Sequence, residues 1–177
     1  MRMAGLLVLA SGLWAQKGVG FGSASPTVTT PPPVEITQNF VMAGASRLTA
    51  GGWAATGIYA HATGTSTYAF TVMDVVPITG KSPASFTQNI GVGVAQKAFT
   101  LTFGSVQVPV FIPVATGFSW TGANSGWSWS GGALATIPIG KGFQIPVAVR
   151  FVKSSVNANS GLNGYQFIFT LGPGFGW

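Results

Sequence analysis

The last fourteen residues constrain the fold most. Across 164–177 the odd positions Tyr165, Phe167, Phe169, Leu171, Phe175 and Trp177 are bulky and apolar, with Pro173 the exception. The even positions are Gly164, Gln166, Ile168, Thr170, Gly172, Gly174 and Gly176. Side chains alternate across a pleated strand, so this is a strand with one oily face and one small, largely polar face. A soluble sheet covers its oily face with a second layer, and no later segment of the sequence supplies one. A strand facing lipid is therefore the arrangement to test along the rest of the chain.

Composition agrees with that test. Charged residues make up 6 % of the 177 positions, against about 25 % in an ordinary soluble domain, which is too few to coat a soluble surface. The 26 Gly and 11 Pro favour short strands and turns over helices. No apolar run reaches the roughly 18 residues of a membrane helix. The net charge of +6 comes from eight basic residues and two acids. Arg47, Lys81, Lys97, Lys141, Arg150 and Lys153 are scattered rather than clustered with stacking aromatics, which argues against a nucleic-acid partner.

Arg2 followed by the apolar run 4–15 has the form of a secretory signal, with a positive start and an h-region of about 7 to 15 residues. The expected organisation is a signal at 1–15, a Pro-rich linker at 16–35 containing Pro31, Pro32 and Pro33, and a β domain at 36–177. With no cysteine there is no disulfide framework.

Within the β domain, 39–47 reads as a strand with ambiguous faces and 48–57 as a turn-rich stretch. Residues 58–63 and 67–76 form a hairpin around 64–66, with Tyr68, Phe70, Val72 and Val76 on one face. The loop 77–85 precedes a strand at 86–98 whose even positions Phe86, Ile90, Val92 and Val94 face oil. After a turn at 103–105, Val106, Val108, Val110, Ile112, Val114, Phe118 and Trp120 share a face, although Pro109 and Pro113 sit awkwardly in a central strand. The loop 121–126 leads to Trp127, Trp129, Ala133, Ala135, Ile137 and Ile139. The short return 140–142 leads to Phe143, Ile145, Val147, Val149 and Phe151, and the polar loop 155–163 leads to the terminal strand.

The count predicts an all-β chain: an antiparallel up-and-down transmembrane β-barrel of about eight strands, closed because hydrocarbon does not tolerate unpaired edges. Short turns near 64–66, 103–105 and 140–142 alternate with longer connections near 48–57, 77–85, 121–126 and 155–163, as short periplasmic turns and longer outer loops would. Trp120, Trp127 and Trp129 gather at the loop end and Phe175 and Trp177 at the other, which predicts two interfacial aromatic girdles.

These features resemble the small eight-stranded outer-membrane barrels, the class that contains the membrane domain of outer-membrane protein A. The resemblance rests on the signal, the alternating segments and the Tyr165-x-Phe167-x-Phe169 to Phe175-x-Trp177 ending, and covers about 36–177. It implies an outer-membrane location in a Gram-negative cell, both termini in the periplasm, and lipid and the assembly machinery as partners. The assembly signal falls on Tyr165, Phe167, Phe169, Phe175 and Trp177. The sequence departs from the family's interlocked lumen charges, since Glu35 and Asp74 are its only acids. The interior is therefore expected to be filled mainly by Gly, Ser, Thr, Gln and Asn, with Lys97 and Arg150 as the lumen cations.

Asp74 shares parity with Phe70 and Val72 and is expected to face lipid at the strand's outer end. The lone His61 excludes a multi-histidine metal site. As a general base it would need an orienting partner and a nearby nucleophile, and the hairpin register puts Asp74 at the opposite end. No cofactor is implied. The functional expectation is a non-enzymatic barrel, porin-like in build, with a structural or surface-interaction role. The alternatives are a secreted soluble barrel holding a small apolar ligand, which needs a polar exterior, and a lipid-modifying barrel enzyme using His61.

Overall fold

The computed structural model describes residues 37–49, 52–78, 85–122, 124–156 and 164–177. The expected signal at 1–15 and the whole expected linker at 16–35, together with Lys81, lie outside the described residues. Nine strands follow in order: β1 Asn39–Leu48, β2 Trp53–Ala62, β3 Thr67–Ile78, β4 Ser85–Phe103, β5 Val106–Thr121, β6 Asn124–Pro138, β7 Phe143–Ser154, β8 Gly164–Leu171 and β9 Gly174–Gly176. From β1 to β8 each strand pairs antiparallel with the next in sequence. Strands β8 and β9 both pair with β1 and with β7, so they are one strand interrupted at Gly172 and Pro173, and the ring holds eight strands.

The C-terminal strand closes the ring. Ala45 to Leu48 run against Leu171 to Ile168, Ala43 N–H donates to Pro173 O across the interruption, and Asn39 and Trp177 exchange both backbone hydrogen bonds. Following partners from Thr49 through Phe167, Phe151, Gly131, Val114, Val94, Ala69 and His61 returns to β1 at Asn39, a stagger of ten residues (49 to 39). For eight strands that stagger fixes a strand tilt of roughly 40° and an interior that side chains can fill.

The terminal strand is two-faced, as its alternation predicts: Phe167, Phe169, Leu171, Phe175 and Trp177 are exposed, while Gln166, Ile168 and Thr170 are buried. Exposed large apolar residues continue around β4 to β7, including Ile90, Val92, Val94, Ile112, Val114, Phe118, Ile145, Val147 and Val149. Pro113, which has no N–H to give, remains in a central strand where the β5–β6 ladder is interrupted between Phe111 and Val114. Gly172 sits where β8 crosses β1: a Cβ there would lie 2.1 Å from Ala43 O, so only glycine allows the approach.

Several expectations need correction. Part of the stretch expected to be turn-rich, 48–57, is strand, since β2 begins at Trp53 and leaves only 49–52 as the connection. The expected loop 121–126 shrinks to residues 122 and 123, with Gly122 at φ 56°. The length contrast between the two ends is therefore smaller than expected. Strand β4 extends beyond residue 98, and a bulge between Lys97 and Phe99 shifts its parity. That shift keeps Phe99, Leu101 and Phe103 on the same outer side as Val94. The β4–β5 hairpin consequently projects past the turn end as a two-stranded ribbon, because β3 pairs only as far as Gln96 and β6 only from Val110. On β3 the expected faces are reversed: Tyr68, Phe70, Val72 and Val76 are buried inside, and Met73 is exposed.

Candidate functional site

The lumen is built in three layers. At the turn end, Phe40, Ile58, Ala60, Phe70, Phe111 and Leu134 form an apolar wall. At the loop end, Leu48, Ala54, Val76, Val152 and Ile168 form an apolar cap. Between them lies a polar layer centred on Asp74, which is 0 % exposed.

All eight strands contribute one residue to that layer: Ser46, Thr56, Asp74, Asn89, Ser119, Ser128, Arg150 and Thr170, in strand order. Arg150 Nη2 donates to Asp74 Oδ1 at 2.5 Å, Thr56 Oγ1 donates to the same oxygen at 2.7 Å, and Asn89 Nδ2 donates to Oδ2 at 3.1 Å. The hydroxyls of Ser119 and Ser128 donate to Asn89 Oδ1 at 3.0 and 2.5 Å. Ser46 lies 2.6 Å from the Thr56 hydroxyl and 2.7 Å from that of Thr170. A hydroxyl has one proton to give. With the Thr56 proton on Asp74, Ser46 must donate to Thr56, and Thr170 in turn to Ser46. The donors therefore run in one direction, from Thr170 through Ser46 and Thr56 to the carboxylate, so that each bond polarises the next.

Asp74 is thus the acceptor on which the layer converges, not a lipid-facing residue at an interface. The expectation failed because parity was assigned from the apolar side of β3, and on this strand the apolar side faces in. The signal that could have located it is the isolation of a single acid within a membrane strand, a position that normally faces the interior and finds a cation. The departure from interlocked lumen charges is also smaller than expected, since one buried ion pair is present.

Of the two lumen cations, Arg150 is 1 % exposed and enters the layer. Lys97 faces inward opposite Phe111 but is only partly buried, at the turn end, where its N–H donates to Ser66 O. The two are not brought together. Arg150 also lines a cavity of about 150 Å³ in the turn-end half, walled by Phe70, Phe111, Leu134 and Ala148, with Thr37, Gln107 and Gln144 at its mouth. Its Nε and Nη1 are buried and have no hydrogen-bond partner among the described residues.

On the exterior, Trp127 packs edge-on against Phe118 with centroids 5.3 Å apart. Trp129 packs on Phe151 at 5.3 Å and Phe151 on Phe167 at 5.4 Å. Trp120, partly buried, lies on the same outer face. At the turn end Phe143, Phe175 and Trp177 form a second group, at 5.0 and 5.9 Å. Tyr165 pairs by its backbone with Lys153.

His61 is exposed at the turn end, where its Nδ1 lies 2.9 Å from Asn39 Oδ1, an oxygen that also accepts from the Tyr59 hydroxyl at 3.2 Å. The register sets Asp74 opposite Thr56, well up the strand from His61 opposite Ala69. No group of three or more His, Cys, Asp or Glu residues that could hold a metal occurs among the described residues.

No protein-family model matches the chain, and no curated protein matches it in sequence. Solved structures do match. The crystal structure of Neisserial surface protein A is similar with a TM-score of 0.57 at 10 % identity, covering 80 % of this chain and 98 % of that one. Ail, the attachment invasion locus protein of Yersinia pestis, gives a TM-score of 0.47 at 10 % identity over 81 % of this chain and 99 % of its own. De novo designed transmembrane β-barrels give 0.44 at 12 % identity over 80 % and 96 %. At 10 % identity the likeness to Neisserial surface protein A is one of fold. With the closed eight-strand register and the apolar exterior, it makes this chain a small eight-stranded antiparallel β-barrel of the transmembrane type.

Proposed function

We propose that the chain is a non-enzymatic outer-membrane barrel with a structural or surface-interaction role, exported by the signal at 1–15 and assembled through its C-terminal strand. One observation carries this reading. The exterior presents a band of large apolar side chains while the middle of the lumen is closed by a hydrogen-bonded layer drawn from all eight strands. An apolar outside suits hydrocarbon, and a filled inside leaves no wide aqueous path. The soluble ligand-binding alternative needs the reverse exterior. The lipid-modifying enzyme needs His61 beside a nucleophile and an orienting acid, whereas His61 hydrogen-bonds to the amide of Asn39. The aromatic groups around Trp120, Trp127 and Trp129 and around Phe175 and Trp177 would then sit at the two headgroup levels, with Phe167 and Phe169 supplying the lipid-facing part of the assembly signal.

The test is to express the chain with its N-terminal segment, fractionate the membranes and reconstitute the extracted protein in planar bilayers. The expected outcome is recovery with the outer membrane, a band that changes mobility on boiling, and no stable conductance steps. Recovery as a soluble periplasmic protein would contradict the reading, and large steady ion currents would contradict a filled lumen.

A further inference from the structure

The polar layer leaves one chemical feature unused. Asp74 already accepts from Thr56, Asn89 and Arg150, so its two oxygens are well supplied. The Arg150 guanidinium is not. It offers five N–H donors, and its Nε and Nη1 remain buried without a partner among the described residues. Buried donors left without an acceptor are costly; neither atom is exposed to the cavity that Arg150 lines, so an acceptor entering it meets them once the side chain shifts toward it. Arg150 lines the turn-end cavity beside the polar layer, and the rest of the wall is mostly apolar, with Thr136 and Tyr68 among it and Thr37, Gln107 and Gln144 toward the mouth.

We propose that this cavity binds a medium-chain alkyl carboxylate of about eight carbons, with the carboxylate on Arg150 and the chain running past Phe70, Phe111 and Leu134 to the mouth. Three observations select that chemistry. The head must be an oxygen acceptor, because Arg150 can only donate. The tail must be apolar and slender, because a cavity of about 150 Å³ accommodates a group of roughly benzene size, and the open mouth takes the last carbons. The charge must be negative or neutral: the chain carries +6 overall, and Lys97 and Lys141 lie at the turn end where the mouth opens, so the local field favours an anion. Arg150 then bridges two carboxylates, Asp74 from the layer and the ligand from the cavity, and all of its donors can be used.

The probe is octanoate labelled with carbon-13 at its carboxyl group, titrated into the full chain reconstituted in lipid vesicles and read by NMR, with protein-free vesicles as the partition control. The expected result is a shifted carboxyl resonance that saturates at one octanoate per barrel, while octylammonium shows only the partition seen without protein. Arg150→Met should weaken octanoate binding tenfold or more. Leu134→Trp, which leaves the polar layer intact and fills the cavity, should abolish the saturable population while the unboiled protein still runs as a folded band, so a folding failure of the first variant does not decide the question. Octanoate uptake no greater than in protein-free vesicles, equal saturation by octylammonium, or undiminished binding in folded Leu134→Trp would each overturn the proposal.

Discussion

Replacing Asp74 with alanine should destabilise the barrel by about 3 to 5 kcal/mol, the range for removing one partner of a buried ion pair. The loss exceeds that of an ordinary buried hydrogen bond because Arg150, 1 % exposed, would be left as an unpaired cation in the middle of the lumen. Thr56 and Asn89 would lose the acceptor that orders their donors. Arg150→Met should be milder, since Asp74 keeps two donors when the guanidinium is gone. The pair of substitutions together should lie closer to the parent than Asp74→Ala alone, because no uncompensated charge remains. Urea unfolding in lipid vesicles, followed by tryptophan fluorescence, reads all three. An Asp74→Ala midpoint within error of the parent would mean that the polar layer does not hold the barrel.

A second large effect is expected on the outside. Val147 is exposed on β7, midway between Phe143 at the turn end and Phe151 of the loop-end aromatic group. Val147→Arg should cost about 2 to 4 kcal/mol in a bilayer, as charges do at the midplane of transmembrane barrels. Ile139→Arg, in the turn beside Lys141, should cost about 0 to 1 kcal/mol, the interfacial figure. In a water-facing sheet both changes would fall within about 0.5 kcal/mol of neutral. The difference between the two positions, measured by the same urea titration, reports whether this band lies in hydrocarbon.

The parts of the fold that were legible in the sequence are those where apolar and outward coincide. On β4, β7 and β8 the bulky residues face out and the small or polar ones face in, so period-two alternation gives both the strand and its orientation. On β1, β2 and β3 that link fails. Their outward positions include Ala43, Ala45, Ala55, Gly57 and Ala69, while Phe40, Met42, Ile58, Tyr68, Phe70 and Val72 fill the lumen. Lipid accepts small residues readily, and the turn-end half of the lumen, walled mostly by apolar side chains, needs apolar volume. The same two facts hid the start of β2 and put Asp74 on the wrong face. The converging hydroxyls were not legible either. Ser46, Thr56, Ser119, Ser128 and Thr170 are ordinary residues until the ten-residue stagger brings them to one level. For Arg150 the outward run of Phe143, Ile145, Val147, Val149 and Phe151 leaves only the inner face, and its side chain is buried.

The central claim is closure of the ring between the first and last strands. The chain contains no cysteine, so Ala45→Cys and Leu171→Cys can be introduced together at directly opposed positions of β1 and β8, within the Cα separation that a disulfide requires. Mild oxidation of the membrane-embedded protein is predicted to form an intramolecular disulfide in nearly every molecule, whereas Ala45→Cys with Phe167→Cys, off register by four residues, should form none. Absence of the first cross-link in folded protein, or equal cross-linking of both pairs, would contradict a closed barrel with this register.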